Sequence, residues 1–244
     1  MTTERRFTVA LIGPDGAGKT TIGRRLEEAL PMPAKYLYMG VSKDSSNRML
    51  PTTRLVRAIK RARGAGPDTG GPPDPRRLQD RRPKQLPRRI RASARAGARL
   101  TNRLAEEWYR QLLTSWYVHR GQIVIFDRHF FSDYYAYDVA GGRRRPLSRR
   151  IHGFVLARVY PKPDLVIYLD APAEILLARK GEGTLESLSR RRNEYLALAP
   201  VTKHFFLVDA SRPVDEVTRD VVRIVETFAA GGMRDEQRAQ SPRP

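Results

Sequence analysis

A loop near the N-terminus, Gly13-Pro-Asp-Gly-Ala-Gly-Lys-Thr20, has the residue types and spacing that bind phosphate groups. Its glycines let backbone N–H groups turn inward around phosphate oxygens, and the helix that follows adds the partial positive charge of its N-terminus. Lys19 can then neutralise the β- and γ-phosphates of ATP while the Thr20 hydroxyl coordinates Mg²⁺. The alternative is a glycine turn that only joins a strand to a helix. The pattern favours an ATP·Mg²⁺ site contacted by Gly13, Asp15, Gly16, Ala17, Gly18, Lys19, Thr20 and Thr21.

A second candidate group, Asp127-Arg128-His129, comes directly after the apolar run Ile123–Phe126. Asp127 can hold magnesium through water, and Arg128 can clamp phosphoryl oxygens with its guanidinium. The alternative is a strand-end aspartate that caps the next segment and pairs with Arg128. Beside a phosphate-binding loop, the catalytic interpretation is favoured.

Basic residues flank the glycine-bearing segment Gly181-Glu-Gly-Thr184. Mobile arginines that close over ATP would supply positive charge to the transition state and exclude water. The alternative for each arginine is an ordinary solvated helix face. The hypothesis is a lid at about residues 179–192, with ATP contacted by Arg179 and catalytic candidates Arg190, Arg191 and Arg192.

Strands that alternate with helices must position these groups. Short apolar runs predict five buried strands at Phe7–Ile12, Tyr36–Met39, Ile123–Phe126, Leu165–Leu169 and Phe205–Val208. Helical patterns follow at Lys19–Leu30, at Asn102–Arg120 and at the C-terminal run from Val214 to Phe228. The order predicts a parallel sheet covered by helices on both faces, with ligands at the carboxyl ends of the strands.

The Asn102–Arg120 pattern places Ala105, Trp108, Tyr109, Leu112, Leu113 and Trp116 on one helix face. We expect this apolar face to pack against the core. The aromatic run after Asp127 (Phe130, Phe131, Tyr134, Tyr135 and Tyr137) either lines a pocket for a ring or packs in the core. The histidines His119, His129, His152 and His204 show no metal-ligand spacing, so a structural role is predicted for each.

Composition limits the other classes of function. The 244 residues include no cysteine, so disulfides and thiolate metal sites are excluded and a cytoplasmic location is expected. No signal peptide or membrane anchor is visible, since the first apolar run is far shorter than a membrane span. One catalytic domain at 1–230 and a disordered tail at 231–244 are predicted.

The net charge of +20 is concentrated in a basic insertion at about 54–103, where 16 Lys and Arg residues stand against three Asp. Within it, residues 64–91 contain six prolines and few apolar residues, which predicts a mobile segment. Such a segment can contact a polyanion weakly, but it lacks the interleaved aromatic residues that stack on nucleic-acid bases.

Three segments together resemble thymidylate kinase and related nucleoside kinases: Gly13–Thr21, Asp127-Arg-His with Ser132, Ala136-Tyr137 and Gly141-Gly-Arg143 downstream, and Pro163–Asp170. The similarity covers most of the chain outside the basic insertion. The resemblance implies a P-loop kinase fold, which is a three-layer α/β sandwich with a five-stranded parallel sheet and a mobile lid. It also implies ATP and Mg²⁺ as cofactors, a small-molecule acceptor that contains a ring, and a possible homodimer.

The resemblance further implies roles for single residues. Asp15 would contact the acceptor sugar, Arg128 would bridge the two phosphates, and Ser132 and Tyr137 would lie near the acceptor base. In that family, a glycine at the position of Gly16 goes with a catalytic arginine in the lid.

The chain departs from that family's pattern at two places that concern the acceptor. The family's Arg-Glu-Pro-Gly-Gly-Thr-like segment, which binds the acceptor phosphate, is replaced by Tyr36–Ser42. The family's base-reading Gln or Thr is replaced by Asp138, and an ionised carboxylate cannot donate to a thymine carbonyl. We therefore expect a kinase whose acceptor is a nucleoside monophosphate, with dTMP itself a poor substrate.

Two other classes stay open at this stage. A kinase of a hydroxyl acceptor, such as a nucleoside, a sugar or a small metabolite, would use Asp127 or Asp15 as the base. A nucleic-acid-binding P-loop protein would use the basic insertion.

Overall fold

The computed structural model describes residues 6–40, 86–140 and 147–231. The chain divides into two compact units. The first unit comprises Met1–Tyr38, Ser115–His129 and Lys162–Pro244, and the second comprises Met39–Thr114 and Phe130–Pro161. A single catalytic domain stays a prediction.

Five short apolar strands form one sheet in the first unit. They pair in the order β2-β3-β1-β4-β5, and all four pairings are parallel. Residues of β1, β3 and β4 are almost fully buried, as expected for central strands that are covered on both faces. The strands are β1 Thr8–Ile12, β2 Ala34–Tyr38, β3 Ile123–Asp127, β4 Leu165–Asp170 and β5 Phe205–Asp209. The predicted α/β fold with a five-stranded parallel sheet is confirmed.

Seven α-helices occur in the described part of the chain. They are α1 Lys19–Ala29, α2 Leu86–His119, α3 Phe130–Tyr134, α4 Leu147–Arg158, α5 Ala173–Lys180, α6 Leu185–Leu196 and α7 Val214–Ala229. A π-helix, Tyr135–Val139, follows α3, and a short 3₁₀ turn, Ala199–Val201, follows α6. None of the helices in the described ranges is long and apolar enough to cross a membrane.

Helices α1 and α7 pack side by side in the first unit, and both contact the sheet. Their buried faces match the predicted pattern: Leu26 of α1 and Val221 of α7 are fully buried among the apolar side chains of the strands. Phe228, near the end of α7, stacks edge-on against Phe7 with ring centroids 4.8 Å apart. This core fixes the sheet whose carboxyl edge carries the candidate site.

Helix α2 differs from its prediction in length and in its buried face. It begins at Leu86, so its first turns occupy residues assigned to the basic insertion, while the rest of the mobile segment, residues 64–85, lies outside the described residues. Trp108, Leu112 and Trp116 are 38%, 68% and 46% exposed, so the prediction that they pack into the core is wrong. The buried face carries polar residues instead: Glu106, Glu107, Arg110 and Thr114.

Candidate active site

The phosphate-binding loop lies between β1 and α1, as predicted, and its backbone depends on glycine. Gly16 has a φ of 91°, and a Cβ at this position would lie 2.7 Å from the Leu176 carbonyl oxygen of α5. Gly18 immediately precedes α1 in the left-handed conformation, with a φ of 85°. Both conformations are strained for residues with a side chain. The loop therefore keeps its shape only with glycine at these positions.

The N-terminus of α1 is open to an anion. No side chain caps it in the described part of the chain, and no acidic residue lies in its first turn. The first N–H groups of a helix have no partner inside the helix, and they attract phosphate together with the helix dipole. The loop and α1 thus form the phosphate-binding arrangement that the motif predicts.

Lys19, the first residue of α1, is buried. Its side chain is 6% exposed, and Nζ donates to the carbonyl oxygens of Gly13, at 2.8 Å, and Pro14, at 2.7 Å. These two hydrogen bonds hold the ammonium group inside the curve of its own loop. The positive charge is therefore positioned at the phosphate-binding loop by the loop's own backbone.

Asp127, at the end of β3, accepts hydrogen bonds from two hydroxyl groups of other elements. Its Oδ2 accepts from Thr20 Oγ1 at 2.5 Å and from the Tyr36 hydroxyl of β2 at 2.7 Å. Its Oδ1 is buried and has no hydrogen-bond partner within the described ranges. Burial, and then the charge and hydrogen bond of Asp127, raise the pKa of Tyr36, so Tyr36 stays protonated and donates.

This donor set fits magnesium. A threonine hydroxyl and one carboxylate, completed by water and phosphate oxygens, are the hard oxygen ligands that Mg²⁺ prefers. The described residues contain no group of three or more His, Cys, Asp or Glu that could hold a metal by themselves. These residues therefore fit a magnesium ion that binds together with a nucleotide. Thr20 and Asp127 would hold that ion.

Arg128 follows Asp127 and is paired with the loop. Its guanidinium donates to the carboxylate of Asp15, and Lys180 Nζ lies 3.8 Å from the same carboxylate. Burial raises the pKa of Asp15, but the charges of Arg128, Lys19 and Lys180 outweigh it, so the pKa lies below its ordinary value. Asp15 is therefore ionised and a weak base. Arg128 itself has a φ of 68° and is the one non-glycine residue with a positive φ in the described part of the chain.

The predicted lid consists of the end of α5, the Gly181–Thr184 turn and the start of α6. Arg192 binds Asp170 at the end of β4 through two hydrogen bonds of 2.6 and 2.7 Å. Arg191 donates to Glu194 at 3.1 Å and lies over the Tyr195 ring.

The other two lid arginines differ in how they are held. Arg179 donates to the carbonyl oxygens of Ala210, at 2.7 Å, and Ser211, at 3.1 Å. Arg190 is exposed, and it makes no hydrogen bond or ion pair within the described ranges. Among the four lid arginines, Arg190 is therefore the one whose guanidinium is not paired with another group in the described ranges.

The second unit contains three of the five predicted acceptor residues. Ser132 of α3 is buried, and its Oγ has no hydrogen-bond partner among the residues that the structure describes. Tyr137 is half-buried in the π-helix. Asp138 is 2% exposed and hydrogen-bonded to His152, so its carboxylate points into the unit. Of the aromatic run, Phe130, Phe131 and Tyr134 are buried and Tyr135 and Tyr137 are half-buried.

Sequence reasoning missed two residues. Tyr36 was assigned to a strand and to the Tyr36–Ser42 segment, and no partner was predicted for it, yet the parallel register places β2 beside β3 and brings its hydroxyl to Asp127. Arg110 was read as part of a helix pattern, but its guanidinium is buried and donates to the carbonyl oxygens of Met39 and Gly40. The sequence of β2 carried no specific signal for Tyr36, because the strand also contains Lys35 and Tyr38. Arg110 had none.

Comparisons with known proteins agree with this arrangement. The family model described as thymidylate kinase matches residues 104–221. "Thymidylate kinase" of Xanthomonas euvesicatoria is 31% identical over 225 residues, which cover 89% of this chain and 82% of that protein.

Two further relatives match over shorter stretches. "Probable thymidylate kinase 1" of Saccharolobus solfataricus is 30% identical over 48% of this chain and 62% of its own length. "Probable thymidylate kinase" of Staphylothermus marinus is 41% identical over 45% of this chain and 55% of its own length. The chain thus spans little more than half the length of these two relatives, whereas it spans most of the Xanthomonas protein. On the extent of that longer match, the chain belongs to the thymidylate kinase family.

Proposed function

We propose that this protein is an ATP-dependent kinase that transfers the γ-phosphoryl group of ATP to a nucleoside monophosphate. The observation that carries the proposal is a set of three charged groups and one hydroxyl at the carboxyl edge of the sheet. Lys19, Asp127, Arg128 and Thr20 all lie in the first unit around one glycine loop. The names of the relatives, which are thymidylate kinases, support the nucleotide acceptor.

Phosphoryl transfer requires positioning and charge stabilisation more than covalent chemistry by the protein. The N–H groups at the start of α1 and the buried ammonium of Lys19 would bind the β- and γ-phosphates of ATP. Magnesium held by Thr20 and Asp127 would neutralise the charge of the same oxygens. Tyr36 keeps the Asp127 carboxylate in place through its hydrogen bond.

Arg128 is the residue we assign to the transferring group. Its guanidinium is held by Asp15, and exchanging that carboxylate for phosphoryl oxygens would keep the charge paired as the transition state forms. The low pKa of Asp15 argues against a role as general base. This is a physical reason against Asp15 as the base for the hydroxyl acceptor that the sequence had left open, and it does not bear on Asp127, the other candidate base.

For the acceptor we propose Ser132 and Tyr137, in the second unit, as contacts near its ring. Ser132 has a buried hydroxyl with hydrogen-bonding capacity left within the described ranges, and such a group is costly unless a ligand or water satisfies it. Tyr137 offers an aromatic face and a hydroxyl group.

A panel of acceptors tests this function. The full chain is incubated with ATP, Mg²⁺ and single acceptors, which include dTMP, other nucleoside monophosphates and the unphosphorylated nucleosides, and each product is identified by its mass. We expect a nucleoside diphosphate product and a kcat/KM for dTMP below that for another monophosphate. A phosphorylated nucleoside would favour the hydroxyl-acceptor alternative, and no product with any acceptor would contradict the proposal.

The lid arginines give a matched pair of variants. Arg190→Ala should lower kcat at least about tenfold and leave stability unchanged, because its charge is exposed and free to close over ATP. Arg192→Ala should mainly lower the free energy of unfolding, by up to about 1 kcal/mol, since it breaks a half-exposed pair with Asp170. Steady-state kinetics and urea unfolding of both variants check this. The reverse assignment, with kcat lost only in Arg192→Ala, would make Arg192 the catalytic arginine.

A homodimer, a weak contact with a polyanion and a cytoplasmic location are also proposed. Exposed apolar side chains recur at helical spacing on α2, at Trp108 and Leu112, and on α4, at Leu147, Ile151 and Phe154, which supports a homodimer. Most of the basic insertion proposed to contact a polyanion lies outside the described residues. A cytoplasmic location is consistent with ATP and nucleotides as substrates.

A further inference from the structure

A histidine is buried between two carboxylates in the second unit. His152 of α4 is fully buried, its Nδ1 lies 2.6 Å from Asp138 Oδ2, and its Nε2 lies 2.7 Å from Glu107 Oε1. An ionised carboxylate can only accept hydrogen bonds. Both contacts are therefore hydrogen bonds at once only when both ring nitrogens carry a proton, which makes His152 an imidazolium cation.

Charged and titratable groups from the neighbouring elements lie around His152, its two carboxylates and the Tyr134 ring that packs edge-on against it. Arg149 Nε lies 3.8 Å from Asp138 Oδ1, and Arg103 Nη1 lies 4.0 Å from Asp138 Oδ2. The groups are Arg103 and Glu107 on α2, Asp133 and Tyr134 on α3, Asp138 on the π-helix, and Arg149 on α4. Burial lowers the pKa of His152, but the hydrogen bonds and charges of Asp138 and Glu107 outweigh it and raise the pKa above 6.5.

The backbone next to His152 also packs on the π-helix. A Cβ at Gly153 would lie 1.7 Å from the Asp138 carbonyl oxygen, so α4 touches the backbone of the π-helix directly. The wide turn closes with a hydrogen bond of 2.8 Å from Ala140 N to the Tyr135 carbonyl. Such turns are uncommon and often mark functional sites. Two independent contacts, one ionic and one steric, thus fix the segment that carries Tyr137.

We propose that His152 is a positioning residue for the acceptor, because as an imidazolium it holds the Asp138 carboxylate inward and so fixes the π-helical turn that carries Tyr137. The inference rests on the proposed function in one respect, the assignment of Tyr137 to the acceptor. Asp138 then shapes the acceptor site through the turn instead of contacting the acceptor.

The direction of the pH dependence follows from the proton count. A neutral imidazole has one N–H, so at high pH the ring can donate to only one of the two buried carboxylates of Glu107 and Asp138. The interaction is complete below the ordinary pKa of histidine and is lost as pH rises through the raised pKa. The second pKa of a phosphate monoester is about 6, so the phosphate group of a nucleotide acceptor does not change charge as the pH rises above about 7.

The first measurement follows the protonation of His152 by NMR without any substrate. The full chain has four histidines, and the resonance absent from His152→Gln identifies His152. We expect it to stay protonated above the ordinary range of histidine and to titrate at lower pH in Glu107→Gln, which removes one negative charge and keeps the shape. Glu106→Gln, a change at the adjacent buried glutamate beside Arg110, is the matched control and should not move it. A His152 that titrates at or below the ordinary range in the wild type overturns the proposal.

The second measurement is the acceptor KM as a function of pH, with the best nucleotide acceptor from the panel. We expect it to rise about fivefold or more as His152 loses its proton, with little change in kcat or in the KM for ATP. In Glu107→Gln the rise should begin at lower pH. An acceptor KM that does not follow the titration of His152 overturns the positioning role alone. If no acceptor is phosphorylated at any pH although His152 titrates as expected, the proposed function is wrong and the positioning role fails with it.

Gly153→Ala separates position from charge. Its methyl group would displace the Asp138 backbone without changing any charge, so the acceptor KM should be raised at all pH values by a similar factor. A Gly153→Ala protein that is folded and has the wild-type acceptor KM would show that the turn does not position the acceptor.

Discussion

Lys19→Ala and Lys19→Met are each expected to lower kcat for phosphoryl transfer at least about 100-fold. The ammonium group is held by the carbonyl oxygens of Gly13 and Pro14 inside the phosphate-binding loop, where its charge would neutralise phosphate oxygens of ATP. Methionine keeps most of the length of the side chain and removes only the charge. The measurement is single-turnover transfer from ATP to the best acceptor of the panel.

The fold should survive both substitutions. Losing two hydrogen bonds to a charged group destabilises, but removing a buried ammonium also removes its desolvation cost, so we expect a change in the free energy of unfolding of no more than about 2 kcal/mol. Lys203→Ala, at an exposed lysine after the 3₁₀ turn, is the control for loss of a positive charge and should keep full activity. A folded Lys19→Met protein with near-normal turnover would rule out the assignment of this loop to ATP.

The sheet could be predicted from the sequence because its strands are continuous apolar runs bounded by loops. Such runs are typical of central parallel strands, and each predicted strand agrees with the structure to within two residues at either end. The phosphate-binding loop was predictable for a related reason, since its backbone conformation needs glycine at Gly16 and Gly18. Strand order was not, and the contact of Tyr36 with Asp127 depends on that order.

Helix α2 shows where a local pattern stops being informative. The periodicity correctly identified an apolar face, but it could not show what covers that face, and Leu112 is 68% exposed. The opposite face is buried although it is charged, because distant residues pair with it. Glu107 meets His152 from 45 positions away, and Arg110 reaches the Met39 carbonyl from 71. Pairing of this kind depends on tertiary structure and leaves no periodic signal.

The same limit applies to Asp138. Its position after Ala136 and Tyr137 predicted an acceptor contact from the resemblance. The acceptor contacts of Ser132 and Tyr137 stay predictions. The structure places its carboxylate on His152, with Arg149 nearby. A resemblance gives the position of a residue in a motif, whereas the direction of its side chain depends on partners that the motif does not include.

Arg128→Ala and Arg128→Gly are both expected to lower kcat about 100-fold or more while the affinity for ATP changes little, because a clamp on the transferring group acts mainly on the transition state. The two variants should differ in stability. Arg128 has a φ of 68°, where an L-residue is strained by about 1–2 kcal/mol, and alanine keeps that strain while glycine relieves it. Glycine also loses about 0.4–1 kcal/mol through the greater freedom of the unfolded chain. The net expectation is that Arg128→Gly is more stable than Arg128→Ala by about 0.5–1 kcal/mol.

The control for the backbone effect is the same pair of substitutions inside a helix. Arg219 is exposed in the middle of α7, where alanine is the better residue, so Arg219→Gly should be less stable than Arg219→Ala by about 1 kcal/mol. The sign of the glycine–alanine difference should therefore reverse between the two positions. Urea unfolding gives the stabilities, and steady-state kinetics with a direct ATP titration gives the catalytic effect. If both Arg128 variants kept kcat and lost only ATP affinity, Arg128 would be an ordinary nucleotide contact, because a group that binds ground state and transition state equally does not change kcat.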